Sequence, residues 1–249
     1  MSFLLSFSPS YAQILWGGPG VAASEFNGGL NGWTTVGIKC PNATWVWEAD
    51  GKADLGAYSA GSGSLGIQSP SVVNGAMVFD SDFYDNAGIV ANFGKGICPS
   101  PHSAELISPV MNLSGKGSVS LRFAQYFRQY ATSTLVAYSM DGGNSWSTPI
   151  SVNTVAVGQG TARNDIKTVP LKGANGTDKF RVKFIFDGDY YFWIVDDVQI
   201  IGRDKHNMRV NLDWFAIAPN FQTPSSQVEK IGFLADIENL GAFTQTNVK

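Results

Sequence analysis

The adjacent carboxylates Asp196 and Asp197 are the pair in this chain with the most chemical promise. They fall inside Ile194 to Ile200, an apolar run that reads as a strand, where neighbouring side chains point to opposite faces. Strict alternation places Asp196 on one face with Ile194, Val198 and Ile200. A carboxylate in such company is costly unless something pairs it. A hard cation would do so, because Ca²⁺ takes carboxylate and carbonyl oxygens. An edge aspartate hydrogen-bonded to backbone amides is the other solution. A second acidic group, Asp80-Ser81-Asp82-Phe83-Tyr84-Asp85, follows the buried-strand pattern Ala76 to Phe79. If the strand continued, Asp80 and Asp82 would share a face and could serve the same or another Ca²⁺. Otherwise the segment is a solvated loop with Asx turns. It lacks the glycine and terminal glutamate of an EF-hand loop.

Hydrolytic machinery is hard to assemble from the remaining residues. The two histidines, His102 and His206, sit in separate polar stretches. No G-x-S-x-G, H-E-x-x-H or phosphate-loop pattern occurs. Glycosidase chemistry needs only two carboxylates, yet no acidic residue stands out as an acid in an apolar pocket. The expectation is therefore a non-catalytic chain. Aromatic residues offer a different chemistry, stacking on sugar rings. Trp45 and Trp47 are the leading platform candidates, with Tyr190, Tyr191 and Trp193 beside them; core or rim positions are the competing assignment. Ser139-Met140-Asp141-Gly142-Gly143-Asn144-Ser145-Trp146 matches the Asp-box pattern S-x-D-x-G-x-[ST]-W. Such a turn is a folding device: Ser139, Asp141, Gly143 and Ser145 shape it and Trp146 packs beneath. A single copy does not make a propeller.

These groups must be held by strands. Val119, Leu121 and Phe123 alternate with Ser118, Ser120 and Arg122, and Phe180, Val182, Phe184 and Phe186 flank Arg181 and Lys183. Both are half-buried strands by their period of two. Turn signals such as Asn27-Gly28-Gly29 and Gly115-Lys116-Gly117 separate the runs. Charged residues make up only 15% of the 249 residues and the net charge is −3, which removes the electrostatic case for a nucleic-acid partner. The class is all-β: a jelly-roll sandwich over 21–202, a polar linker at 203–207, and at 208–249 the opening strands of an incomplete Ig-like sandwich. A C-terminal hairpin packed on the first domain is the alternative for that tail. Residues 1–12 read as a signal-peptide remnant, with Phe3 to Phe7 apolar and Ser10-Tyr11-Ala12 small at a cleavage position. No segment is long and apolar enough to span a membrane. In an exported chain, Cys40 and Cys98 form a disulfide; in a reducing compartment they would be buried thiols.

Four segments occur in a telling order: Ser24-Glu25-Phe26-Asn27-Gly28-Gly29-Leu30-Asn31-Gly32-Trp33-Thr34, Met77 to Asp82, Ala104-Glu105-Leu106-Ile107-Ser108-Pro109-Val110-Met111-Asn112-Leu113-Ser114, and Trp193-Ile194-Val195-Asp196-Asp197-Val198-Gln199-Ile200. Together they resemble the MAM-like jelly rolls of bacterial surface proteins, including cleaved-adhesin and choice-of-anchor modules. The resemblance implies an adhesive or accessory binding module of a larger secreted or cell-surface protein. It implies a structural calcium joining Glu25 to Asp196, with Asp197, Asp80 or Asp82 nearby. Asn27 stands where that family often has an acidic residue, so Glu25 is the lone carboxylate of the opening motif. The implied partners are an extracellular glycan or protein and further domains of the same chain. A carbohydrate-binding module attached to a secreted glycoside hydrolase or peptidase is the alternative.

Overall fold

A computed structural model of the chain describes residues 13–203, 208–217, 232–239, 241 and 246. The proposed signal remnant therefore lies outside the described residues. The chain divides into two compact units, Met1–Gly202 and Arg203–Lys249. In the second, strands β12 (Met208–Ile217) and β13 (Gly232–Asn239) pair antiparallel. A third strand at the C-terminus falls outside the described residues.

The first unit is an all-β jelly-roll sandwich of two antiparallel sheets. One sheet has the order β3 (Val46–Glu48), β4 (Ala76–Asp80), β11 (Phe192–Gly202), β6 (Val119–Phe127), β9 (Asp165–Pro170). The other has the order β2 (Thr34–Gly37), β5 (His102–Ile107), β10 (Arg181–Asp189), β7 (Ala131–Ser139), β8 (Ile150–Ser151). The domain begins earlier than residue 21, because β1 (Ile14–Gly17) pairs with the second half of β11. The alternating runs supply the inner faces: Val119, Leu121, Phe123, Val182, Phe184 and Phe186 are all fully buried in the main core. Burial of these side chains, at about 1.5–3 kcal/mol each, is what holds the sheets together.

The outer face of the first sheet is buried as well. The segment 49–75, with a short helix α1 (Ala60–Gly63), covers it. Ala53 and Ile67 pack there on Val78, Ala124, Phe192 and Ile194. That second layer explains why β4 is buried at every position and reads as a continuous apolar run rather than an alternation.

Candidate functional site

The Asp196-Asp197 pair sits at an interruption in the sheet. One edge of β11 is paired by β4 over Phe192 to Val195 and by β1 from Gln199 onward. In the gap between them the register against β6 shifts from Asp196 to Gln199, which marks a β-bulge. Asp197 carries the extra residue at φ 51°, a left-handed conformation that aspartate tolerates better than most. The bulge corrects the strict alternation expected from the sequence. Asp196 does share the outer face with Ile194, but Val198 and Ile200 are turned into the core between the sheets. Asp196 is fully buried under the covering segment. Its Oδ2 accepts from Ser69 Oγ (2.5 Å) and Ser71 Oγ (3.2 Å), and its Oδ1 accepts from the Asp197 N–H. Burial nevertheless pushes its carboxyl up to about 7, with the Asp197 charge adding to the effect.

The opening motif docks on this bulge, chiefly through Ser24. Val198 N–H donates to Ser24 O, and Ser24 Oγ–H donates to Val198 O at 2.6 Å. Gly17, at φ 80°, is pressed so close that a Cβ there would lie 2.4 Å from Val198 O. Glu25 follows: Oε1 accepts from the Gly20 N–H and Oε2 from Asn74 Nδ2. Asp197 Oδ2 accepts from the Ser71 N–H. Burial raises the Asp197 carboxyl, and the Glu25 charge raises it further. None of the ion pairs among the described residues supplies either with a cation. Among those residues no three carboxylate, imidazole or thiolate groups gather as a metal set.

Asp80 and Asp82 stand apart from that pair. Asp80 lies opposite Phe192, four positions before Asp196 along β11. At roughly 3.3 Å per residue this is about 13 Å, more than twice the Ca²⁺–oxygen distance allows between ligands of one ion. The expected loop after β4 is a helix, α2 (Ser81–Asn86), with Asp80 as its N-cap accepting from the Phe83 N–H. Both aspartates hold backbone in place. Asp80 Oδ2 accepts from the Gly56 N–H and Ser59 Oγ; Asp82 Oδ2 accepts from the Tyr58 and Ser59 N–H groups, and Oδ1 from Asn86. Asp85 likewise accepts from the Gly94 and Ser100 N–H groups. Burial pushes the Asp80 carboxyl up to about 6.

The segments these carboxylates tie down frame a cleft of about 160 Å³, lined by Tyr58, Asp82, Phe93, Tyr130, Tyr190 and Tyr191. It forms where two short corners carry the chain between the sheets side by side. Arg128-Gln129-Tyr130 joins β6 to β7, and Tyr190-Tyr191 joins β10 to β11. The corners are stitched together by Arg128 N–H to Phe192 O and Thr132 Oγ1–H to Asp189 O. Tyr190 and Tyr191 both have positive φ, 59° and 52°. For bulky residues this costs on the order of 1–3 kcal/mol each and tends to persist at functional sites. The rings touch in sequence. Tyr58 stacks on Phe93 at 5.3 Å, Phe93 meets Tyr190 edge-on at 5.8 Å, and Tyr130 meets Tyr190 at 5.4 Å. Tyr58, Phe93 and Tyr130 remain 39%, 50% and 46% exposed. Arg128 lies over the Tyr191 ring, 4.7 Å from its centroid. Of the six buried side-chain polar atoms without a partner among the described residues, three flank these corners: Arg128 Nε, Gln129 Oε1 and Asp189 Oδ1.

The other sequence candidates are structural. Trp45 is 2% exposed and packs on Phe79 and Trp193, so it offers no platform. Trp193 is fully buried, its indole N–H on Gln125 Oε1. Trp47 is half-buried against the core and donates to Phe26 O. Tyr190 and Tyr191 do line the cleft; Tyr58, Phe93 and Tyr130 were not legible as partners, because only the tertiary fold brings them together. In the Asp-box turn, Asp141 accepts from Ser139 Oγ, from the Ser145 N–H and from Ser145 Oγ, which hold its carboxyl well below the usual range. Ser139 Oγ accepts from the Gly143 N–H, and the Trp146 ring lies under Lys183 Nζ at 4.6 Å. His102 Nδ1 meets Ser81 Oγ at 2.8 Å, but its Nε2 is on Cys98 O and both side chains are fully buried, so this pair cannot meet a substrate. Cys40 and Cys98 are joined by a disulfide, Cα–Cα 6.1 Å.

No protein-family model matches the chain, and no curated protein matches its sequence. Solved structures do. The carbohydrate-binding module TmCBM61, determined with β-1,4-galactotriose, is 16% identical over 76% of this chain and 98% of its own, with a TM-score of 0.40. The K3 and K1 cleaved adhesin domains of Lys-gingipain from Porphyromonas gingivalis W83 are 18% and 19% identical, both with a TM-score of 0.42. They cover 69% and 72% of this chain and 92% and 95% of their own. At these scores the likeness carries no argument about the site, which stands on its own geometry. Among the described residues no helix is long and apolar enough to cross a membrane.

Proposed function

We propose that this chain is a non-catalytic binding module of an exported bacterial surface protein, and that it takes a sugar residue in the cleft between the β6–β7 and β10–β11 corners. The observation that carries this reading is the exposed run of tyrosine and phenylalanine rings that lines the cleft. An apolar ring face receives the C–H face of a pyranose, and a phenolic hydroxyl both donates and accepts, as sugar hydroxyls do. Asp82, the carboxylate lining the cleft, is occupied by three donors and so holds loops rather than protons. Binding should be shallow and weak for a cleft of this size.

The test is titration of the chain with a panel of oligosaccharides, repeated with Tyr190→Gly. Glycine removes the ring and also relieves the positive φ, so stability should change by no more than about 1 kcal/mol while binding is lost. Unchanged sugar binding in Tyr190→Gly would sink the cleft. A second reading, adhesion to a protein, is favoured by Ile89, Val90 and Ile97, which stand 59%, 69% and 63% exposed on the segment that carries Phe93. Saturable binding of a protein partner that survives Tyr190→Gly but not Val90→Asp would establish it. A Ca²⁺ between Glu25 and Asp197, completed by backbone oxygens, belongs to the proposal as a structural clamp. The rise of the Asp197 carboxyl in the field of Glu25, with no ion pair to either among the described residues, supports it, and Asp196 would act behind it by fixing Ser69 and Ser71.

A further inference from the structure

We infer that the cleft selects uncharged sugar residues and discriminates against uronates, sialic acids and sulfated sugars; this rests on the carbohydrate reading above. The charged residue that lines the cleft is Asp82, and among the described residues no lysine or arginine lines it. Asp189 stands at the head of the tyrosine corner, its Oδ1 buried and without a hydrogen-bond partner among the described residues. Asp85 lies close behind, holding the segment that carries Phe93. The charges of Asp85 and Asp189 are both felt at the Tyr190 hydroxyl, where they add to the effect of burial in raising its pKa. Arg128, the nearby cation, is laid flat on Tyr191 outside the cleft lining, and its charge is partly satisfied by the ring face. An anionic ligand in the cleft would thus meet the Asp82 carboxylate and no lysine or arginine of the lining, and like-charge juxtaposition is how binding surfaces exclude wrong partners.

The experiment is calorimetric titration of the full chain with matched oligosaccharide pairs that differ only in charge: galactosides against galacturonates, glucosides against glucuronates, and each neutral sugar against its sulfated form. The neutral member of at least one pair should bind at least about tenfold more tightly, with an affinity that barely changes between about 50 and about 500 mM salt. Asp189→Asn, which removes a charge felt at Tyr190, should narrow the gap within the pair. Equal or tighter binding of the acidic member, lost in Tyr190→Gly, would overturn the selectivity while leaving the cleft intact. Absence of binding by both series would instead overturn the carbohydrate reading itself. If Asp189→Asn fails to fold, the salt series on the unaltered chain decides, since an anion-selective cleft would lose affinity steeply as salt rises.

Discussion

A buried aspartate with no cation can be kept neutral or can be wrapped in donors, and Asp80 does some of each. Its oxygens accept from Phe83, Gly56 and Ser59, yet burial outweighs these bonds and lifts its carboxyl to about 6. The folded state therefore holds a proton that the unfolded chain, near 3.8, has released. This stabilisation is complete below about pH 4 and is lost as pH rises through 6. A rise of that size corresponds to about 3 kcal/mol as an order of magnitude. Buried His102, lowered below its usual value, works in the opposite direction over the same range, so the difference between two proteins is the clean measurement. Asp80→Asn keeps a side-chain oxygen for the α2 cap and does not titrate. Melting followed from pH 4 to 8 should show the unaltered chain losing stability relative to Asp80→Asn as pH rises. Parallel curves would mean that Asp80 is ionised throughout. Sequence could mark Asp80 and Asp82 as unusual but not assign their task. Their partners, Gly56 to Ser59, lie more than twenty residues earlier in a segment without a periodic signature.

Strands were the legible elements because their cause is local. Alternation over 119–123 and 182–186 reports which side chains leave water, and the structure buries those faces. What stayed hidden comes from contacts between elements. The bulge at Asp197 reverses the alternation after Asp196, and nothing in the run Ile194 to Ile200 announces it; it exists because β4 and β1 leave a gap in which Ser24 and Glu25 must dock. The tyrosine corner is hidden for a related reason: residues with positive φ are expected to be Gly or Asn, and Tyr-Tyr violates that rule. At the element scale the proposed Ca²⁺ makes a sharp prediction. A chelator should lower the melting temperature of the chain, and Glu25→Gln should melt lower in calcium and no longer respond to the chelator. Identical melting with and without calcium would remove the ion from the proposal. The Cys40–Cys98 bridge acts between elements too, tying the β2–β3 connection to the end of the segment that carries Phe93. Closing a loop of 58 residues is worth about 4 kcal/mol on a chain-entropy model. Cys40→Ser with Cys98→Ser should lose about 2–4 kcal/mol and weaken sugar binding, because Phe93 is then less firmly placed beside Tyr58 and Tyr190. A double variant that melts like the unaltered chain would show that the surrounding hydrogen bonds suffice.

Every described residue of both hydrophobic clusters belongs to the first unit. The cleft, the bulge and the disulfide belong to it as well. A fragment of residues 13–203 should therefore fold alone, with the same β-type circular dichroism and the same sugar affinity as the full chain. A cleft this small would cover only part of one oligosaccharide, so a single module should bind weakly. The advantage of such a module lies in repetition, because tethering raises the effective concentration for a second contact without any new interaction. Joining two copies of residues 13–203 by a flexible linker should tighten binding to a polymeric glycan by about 10²-fold or more, with no change for a short oligosaccharide that reaches only one cleft. Equal gain for both ligands would show that the linked copies bind through some surface other than the tyrosine cleft.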